Sequence, residues 1–284
     1  MAIRIITDSG SDITQDMAKK WGIEVLPLTV RFGDDVYEDD VTIKADEMYT
    51  RMISSGEIPK TSQVSPGAYE DAFRAAVEAG DEVVCITLSS GMSGCYQSAM
   101  IAAEQFGDHV SVVDSLNVCA SQFVLTRYAR GLARHGKDRD EIVRRLERGK
   151  KRLHVIALVD TLEYARKGGR VSRTAALAGG LLGIKPIITA GSEGTVEVLG
   201  KARGMRSAYK LFGKLVEKTG GIDYRLPVCM AYSGLDDSNM NEFMSEQSGL
   251  FEGQEARIHM SRIGATVGTY SGPDAFAIGF FHKL

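Results

Sequence analysis

The sequence predicts a two-domain α/β protein, with an N-terminal parallel sheet between layers of helices and a C-terminal mixed α/β sheet. Two observations support this fold class. Before Leu153, apolar runs alternate with segments whose apolar residues recur at helical spacing, as in βαβ units. After it, strand-like segments follow one another with few helices between them. We therefore expect domains at residues 1–152 and 153–284, and 284 residues suit two domains of ordinary size.

The chain opens with a βαβ pattern. Ile3 to Thr7 forms a short apolar strand, a helix follows from about Thr14 to Trp21, and a second strand spans Ile23 to Val30. The loop Asp8 to Asp12 holds two acids and two serines. Such side chains can bind a metal, but they also cap helices, and capping is the favoured interpretation.

A helix over Ile43 to Ile53 leads to a polar stretch that starts the next helix. Ser65 is expected to be its N-cap and Pro66 its first residue. Thr61 and Ser62 lie just before this helix and have no such structural role. They are therefore candidates for binding a ligand.

Two more apolar runs continue the parallel sheet, over Val83 to Leu88 and Val110 to Ser115. After the first run, small hydroxyl and glycine residues form a loop, and Ser93 is expected to cap the helix that follows. Helices over Leu116 to Arg134 and Asp138 to Lys151 complete the first domain.

The second domain is expected to contain several strands and a hairpin turn at Ser192-Glu-Gly194. The strand-like segments are Val155 to Val159, Pro186 to Thr189, Val196 to Lys201, Pro227 to Tyr232, Ala256 to Ser261 and Ala277 to Phe281. The segment Gly264 to Asp274 combines hydroxyl residues and glycines with a proline placed to open a short helix.

Composition excludes several classes of protein. With 44% hydrophobic and 25% charged residues, the chain is neither disordered nor a coiled coil, and a net charge of -3 gives no general attraction to nucleic acid. The start of the chain has no signal-peptide pattern, and no apolar tract is long enough for stable insertion in a membrane. Four cysteines lack zinc-site spacing, so we expect reduced thiols in a cytoplasmic protein with no metal and no cofactor.

Three segments far apart in the sequence end in hydroxyl residues at expected helix starts, around Thr61, Ser93 and Thr269. If they converge, their hydroxyls and free amides offer neutral donors to an anion. The chain has no P-loop and no dinucleotide-binding glycine pattern, and Lys60 is the one cation close to these loops. The pattern favours a small, singly charged carboxylate over a nucleotide.

The same loop leaves an enzymatic alternative open. Gly91-Met-Ser-Gly-Cys95 partly matches the nucleophile elbow of serine hydrolases but lacks its final glycine. None of the five histidines lies in a comparable loop, so no general base for Ser93 is evident. Hydrolysis by Ser93 is therefore the weaker interpretation.

The tract Ala175 to Ile184 is rich in small and apolar residues. Each residue alone is explained by a helix packed tightly on a sheet. Together, four of its side chains could line a tunnel for an alkyl chain, because small residues leave room beside them. These four are Leu177, Leu181, Leu182 and Ile184.

Seven motifs, in unchanged order and nearly from end to end, resemble those of the DegV family. They are Thr7-Asp-Ser-Gly-Ser-Asp12, Lys60-Thr-Ser-Gln-Val-Ser-Pro66, Ser89-Ser-Gly-Met-Ser-Gly-Cys-Tyr-Gln-Ser-Ala99, Val113-Asp-Ser115, Asp160-Thr-Leu-Glu-Tyr-Ala-Arg-Lys-Gly-Gly-Arg170, Gly183-Ile-Lys-Pro-Ile187 and Gly268-Thr-Tyr-Ser-Gly-Pro273. The resemblance implies a long-chain fatty acid held between the two domains. It also implies delivery to an ATP-dependent fatty acid kinase, which makes an acyl phosphate for phospholipid synthesis.

The resemblance also assigns roles to residues. Those implied at the ligand carboxylate are Thr61, Ser62, Ser93, Gly94, Gly268, Thr269 and Tyr270. Arg203 and Arg170 would belong to the surface that meets the kinase. The family usually has His where this chain has Tyr270, and Gly where it has Asp274; a phenol still donates a hydrogen bond but does not titrate near neutrality as an imidazole does. The alternative is an enzyme that uses this site, as a small-molecule kinase subunit or as a hydrolase.

Overall fold

The computed structural model describes residues 2–171 and 183–284. The strands in these residues are β1 Ile3–Asp8, β2 Ile23–Leu26, β3 Thr29–Phe32, β4 Asp35–Glu38, β5 Lys60–Ser62, β6 Glu82–Thr87, β7 Val110–Asp114, β8 Leu153–Leu158, β9 Ile184–Ala190, β10 Val196–Arg203, β11 Val228–Tyr232, β12 Ile258–Arg262 and β13 Phe276–Phe281. The α-helices in these residues are α1 Gln15–Trp21, α2 Ala45–Ser55, α3 Pro66–Glu78, α4 Cys95–Ala103, α5 Cys119–Arg134, α6 Arg139–Lys150, α7 Glu163–Lys167, α8 Met205–Lys218, α9 Ser238–Glu246 and α10 Ala265–Ser271.

The first sheet is parallel, with four strands in the order β2-β1-β6-β7. Its central strand β6 is fully buried from Val83 to Ile86, as expected for a strand with helices on both faces. Helices α3 and α4 share one hydrophobic cluster with this sheet, and α5 and α6 share another. The predicted layered parallel sheet is therefore confirmed.

The single strand predicted over Ile23 to Val30 is in fact two strands. Proline has no amide to donate to a sheet, so β2 ends before Pro27. The next amide, that of Leu28, donates to Ser9 Oγ at 3.0 Å. The chain then enters a small antiparallel sheet of order β4-β3-β5, which the sequence analysis did not anticipate.

The second sheet has six strands in the order β10-β9-β8-β13-β11-β12. Its β11–β12 pair is parallel and its other pairs are antiparallel, which confirms a mixed sheet. Residues of β8 alternate in direction: Ile156 and Leu158 pack under α8 and α9, whereas Val155 and Ala157 face α5. The predicted turn at Ser192 to Gly194 is present, and Gly194 N donates to Gly191 O at 2.9 Å.

Helix α5 lies between the two sheets. Its apolar side chains share one cluster with β1 and β6 and also with β8, β11 and β13. Gly279 of β13 lies so close to this helix that a Cβ there would overlap the backbone of Ala120. The second sheet starts at Leu153, but the division into 1–152 and 153–284 stays a prediction because this core is shared.

Two helix starts test the predicted caps. Ser65 Oγ accepts from Ala68 N at 3.2 Å and Pro66 is the first residue of α3, as predicted. Helix α4 starts one residue later than predicted, with Gly94 as its N-cap in place of Ser93. The hydroxyl of Ser93 instead accepts from Cys95 N at 3.3 Å.

The four cysteines are free thiols and all are buried. No helix within 2–171 or 183–284 has both the length and the apolar composition needed to cross a membrane.

Candidate ligand-binding site

A cavity of about 370 Å³ lies between the carboxyl-end loops of the first sheet and the inner face of the second sheet. Its volume is within the range of small-molecule sites. Most of its wall is apolar, and Arg170 is the one charged side chain among the described residues that line it. Such a cavity suits an amphiphile with an anionic head, because a buried anion requires a partner of opposite charge.

Small residues of the second sheet form much of the apolar wall. Val155 and Ala157 project from β8, Ala277 projects from β13, and Ala275 lies just before β13. Short side chains on the inner face of a sheet leave space that longer ones would fill. The sequence analysis missed these residues, although the period-two alternation of small residues from Val155 to Val159 carried the signal.

Thr61 and Tyr270 join the two halves of the molecule at the polar end of this cavity. Thr61 Oγ1 and Tyr270 Oη lie 2.6 Å apart and share a hydrogen bond. Thr61 lies in β5, paired with Val30 of β3, so it has a structural role that the sequence did not reveal. Thr61, Ser62 and Tyr270 all line the cavity.

The loop after β6 brings Ser93 and Gly94 to the same end. Gln63 lies over Gly94, where it fills the space that a side chain at Gly94 would need. Its Nε2 donates to Ser98 Oγ of α4 at 2.8 Å. The segments around Thr61 and Ser93 therefore meet at one cavity. The sequence analysis required this convergence if their hydroxyls are to bind one anion.

Gly268 and Thr269 do not line the cavity. Both lie within α10, where the Thr269 hydroxyl donates to Ala265 O at 2.9 Å and the Gly268 amide donates to Gly264 O at 2.8 Å. Gly268 makes room for Tyr49, whose hydroxyl would collide with a Cβ there. The prediction that Pro273 opens this helix was wrong, because Pro273 follows its end.

Two buried carboxylates hold the start of α10. Asp39 accepts from the amides of Ala265 at 2.9 Å and Thr266 at 3.1 Å, and Asp12 accepts from Gly264 N at 2.8 Å. These amides have no partner within the helix, so the carboxylates satisfy them. Burial raises the pKa of Asp12 to about 8 and also raises the pKa of Asp39.

Asp8 has a similar role at the end of β1. It accepts from Gly10 N at 3.1 Å, Leu88 N at 2.7 Å and Gln122 Nε2 at 3.0 Å, and burial raises its pKa to about 6. The capping interpretation of this loop is therefore supported. Across the described ranges, no three His, Cys, Asp or Glu side chains are grouped to hold a metal.

Two arginines and Lys60 are the cations that the sequence analysis singled out, and only Arg170 lines the cavity. Arg170, expected at a partner surface, lines the cavity, and its guanidinium carbon lies 4.8 Å from the centre of the Tyr270 ring. Arg203 is exposed at the end of β10. Lys60 is exposed and does not line the cavity, so Arg170 is the cation beside the polar end.

The predicted tail-lining residues are only partly described. Leu177, Leu181 and Leu182 lie outside the described residues. Ile184 is the first residue of β9, where it pairs with Arg203 and is not part of the cavity wall. A role for this tract in binding an alkyl chain stays a prediction.

Ser93 lacks the surroundings of a catalytic serine. Its side chain pairs with Cys95, whose thiol pKa is raised to about 12 by burial. No histidine is found among the described residues of the cavity wall. The geometry supplies donors for an anion, whereas a general base for Ser93 is missing from this wall.

The chain has a clear family match. Residues 2–283 match the family described as "Uncharacterised protein, DegV family". A DegV domain-containing protein of Caldanaerobacter subterraneus is 34% identical over 284 residues, which cover 99% of each chain.

Two solved structures share the fold. A DegV family protein from Thermus thermophilus, described for its fatty acid binding, has a TM-score of 0.89 and 30% identity, with 100% of both chains covered. A stearic-acid-binding protein from Eubacterium ventriosum has a TM-score of 0.86 and 28% identity, covering 100% of this chain and 99% of the other. The layered parallel sheet, the mixed sheet and the end-to-end match lead to one conclusion: this chain belongs to the DegV family.

Proposed function

We propose that this protein binds one long-chain fatty acid in the cavity between its two sheets and presents the carboxylate to an ATP-dependent fatty acid kinase. One observation carries the binding step: an apolar cavity has a single charged group in its described wall, and that group is the cation Arg170 beside three hydroxyls. A fatty acid has the matching shape and charge, with one anionic head and a long apolar remainder.

The head group would lie where four segments meet. Thr61, Ser93 and Tyr270 offer hydroxyls, Ser62 and Gly94 line the same end, and Arg170 offers the charge. Donors to an ionised carboxylate form stronger hydrogen bonds than donors to a neutral acceptor. Gly268 and Thr269 would act through the backbone of α10, which positions Tyr270.

The tail would lie against the apolar wall. Each buried methylene contributes about 0.8 kcal/mol, so a long chain supplies most of the affinity and the hydroxyls orient the head. Related proteins support this proposal, since the Thermus thermophilus protein is described as binding a fatty acid and the Eubacterium ventriosum protein as binding stearic acid.

Presentation to a kinase is the finer part of the proposal, and the family resemblance supports it. The kinase would use ATP in the cytoplasm to make an acyl phosphate for phospholipid synthesis, with this protein as a carrier that performs no chemistry itself. The exposed Arg203 is the candidate contact with the kinase.

We expect Arg203→Ala to keep bound lipid but lose kinase-dependent acyl phosphate formation, whereas Arg148→Ala on the exposed surface of α6 keeps both. Normal acyl phosphate formation by Arg203→Ala would remove Arg203 from this surface.

Native mass spectrometry of the purified protein tests the binding step. We expect an added mass of fatty-acid size, which solvent extraction removes and added fatty acid restores. The enzymatic alternative predicts an empty protein that turns over an ester or phosphorylates a small substrate by itself. That result would replace the carrier proposal.

The head-group assignment has its own test. Ser93→Ala combined with Thr61→Ala should weaken fatty acid binding without unfolding the protein, because two donors at the polar end are lost. Thr50→Ala with Ser90→Ala is the matched control, since it removes two exposed hydroxyls outside the cavity. Equal affinity of the two double variants in a binding titration would contradict the assignment.

A further inference from the structure

Tyr270 makes contacts that a simple ligand donor does not need. Its hydroxyl is bonded to Thr61 of β5, which comes from the other half of the chain. Both side chains are half-buried and both line the cavity, which places their bond at the edge of the cavity and not in the core. The bond therefore connects α10 with β5 across the polar end.

Gly168 leaves the space that the ring of Tyr270 occupies. The backbone of Gly168 has φ −79°, which any residue adopts, so its conformation does not require glycine. A Cβ at Gly168 would nevertheless overlap the ring of Tyr270. The absence of a side chain at Gly168 is thus explained by the tyrosine that lies against it.

Arg170 packs on the ring of Tyr270. Its guanidinium stacks on the Tyr270 ring at 4.8 Å, while Nε donates to Met92 O at 3.2 Å and Nη1 donates to Gly168 O at 2.7 Å. Met92 belongs to the loop that carries Ser93. The arginine therefore links the tyrosine to a third wall of the polar end.

We infer that Thr61, Gly168, Arg170 and Tyr270 form a head-group clasp that sets the rate at which a fatty acid enters and leaves. The inference rests on the proposed function. Because the clasp joins β5, α10 and the loop after β6 at the polar end, we expect a carboxylate to pass only when the bond between Thr61 and Tyr270 breaks. Tyr270 is then an exchange-determining residue as well as a donor.

Exchange kinetics distinguish a clasp from a simple contact. Tyr270→Phe keeps the ring and its stacking but removes the hydroxyl. A clasp predicts that association and dissociation both become faster, each by roughly 2- to 12-fold for one lost hydrogen bond, with a smaller change in Kd. A contact made only with bound ligand predicts faster dissociation with unchanged association. Tyr164→Phe is the control, since it removes a phenol hydroxyl that takes part in none of the hydrogen bonds of the clasp.

Gly168→Ala provides an independent variant that keeps every polar group. Its methyl should displace the Tyr270 ring and speed exchange in the parent protein. In a Tyr270→Ala background the same change should have no effect, because the ring is no longer there.

Stopped-flow measurements with a fluorescent long-chain fatty acid test all these variants, and circular dichroism checks their folding. Faster association and dissociation for Tyr270→Phe and Gly168→Ala, with Tyr164→Phe at the parent rates, supports the clasp. Unchanged association for both variants overturns it while leaving fatty acid binding intact. No saturable binding by the parent protein overturns the proposed function and the clasp with it.

Discussion

Arg170 has a special place among the residues of the cavity, because every other described residue in the wall is uncharged. A carboxylate that leaves water needs a partner for its charge, and hydroxyls alone supply only dipoles. The guanidinium is held in position by two carbonyl oxygens and by the Tyr270 ring. Recognition of the ionised head should therefore depend on this residue.

Arg170→Gln should lower fatty acid affinity by roughly 10- to 150-fold, since a hydrogen bond to a charged group contributes about 1.5–3 kcal/mol. Glutamine keeps a polar amide but removes the charge, together with the guanidinium's contacts to Met92, Gly168 and Tyr270. Lys60→Gln removes an exposed cation next to Thr61 in sequence that does not line the cavity, and it should leave affinity unchanged. The measurement is a calorimetric titration; equal affinities for the two variants would show that Arg170 does not meet the carboxylate.

For individual residues of the site, the sequence analysis agreed with the structure in some cases and differed in others. Thr61 was singled out because it had no evident structural role, and Ser93 because hydroxyls and glycines follow a buried strand there; both line the cavity. Thr269 was misplaced because the start of its helix is fixed by Asp39, which lies 226 residues from Ala265 in sequence. Local spacing holds no information on a contact of that kind. The family resemblance assigned Arg170 to the surface that meets the kinase, and nothing in its local sequence indicated that its side chain lines the cavity.

Helix α10 is the element on which the site depends, since it carries Tyr270. Its first amides bind Asp12 and Asp39, both from the N-terminal half of the chain. Burying a carboxylate disfavours its charged form, which is why the pKa of Asp12 is raised from 3.8 to about 8. The cap thus makes stability depend on pH.

The direction follows from proton binding. Between about pH 4 and pH 8 the folded protein holds the Asp12 proton more tightly than the unfolded chain does, so the contribution of Asp12 to stability is greatest below this window and falls as pH rises through it. Asp12→Asn keeps an acceptor for Gly264 and cannot ionise, so it should flatten this fall in urea denaturation series. Asp71→Asn, at an exposed position on α3, should retain the slope of the parent protein. An equally steep fall in Asp12→Asn would contradict this account of the cap.

Strands with a clear hydrophobic pattern were predictable from the sequence. Strands that form only by pairing with segments elsewhere in the chain were not. The buried run of β6 and each strand-like segment of the second half became strands. The small sheet of β3, β4 and β5 escaped prediction because its strands are short and partly exposed, and they form only by pairing with one another. Thr61 lies on this sheet, so part of the site was predicted without the element that positions it.

The whole molecule is held together by a core that crosses the predicted domain boundary. Helix α5 packs on both sheets, and Gly279 lets β13 approach its backbone. A cavity between two sheets needs walls that stay fixed, and this shared core supplies them on the side of α5. The two-domain pattern in the sequence was correct for the sheets, whereas the closeness of their packing depends on contacts that no local pattern encodes.

Two glycines near this core should respond in opposite directions. Gly279→Ala should destabilise the protein by about 1–3 kcal/mol, because the backbone it meets cannot move aside. Gly131→Ala, within α5 and with no atom within 4 Å of its added Cβ, should stabilise by about 0.5–1 kcal/mol. Denaturant melts measure both. A Gly279→Ala variant as stable as the parent protein would show that α5 and β13 are less closely packed than described.

A diffraction map of the protein saturated with a long-chain fatty acid tests the central claim most directly. We expect one elongated feature along β8 and β13, with carboxylate oxygens within about 3.2 Å of the hydroxyl of Thr61 or Tyr270 and the guanidinium of Arg170 beside them. A carboxylate at the opposite end of the cavity, or side chains filling the space with no lipid bound, would contradict the account.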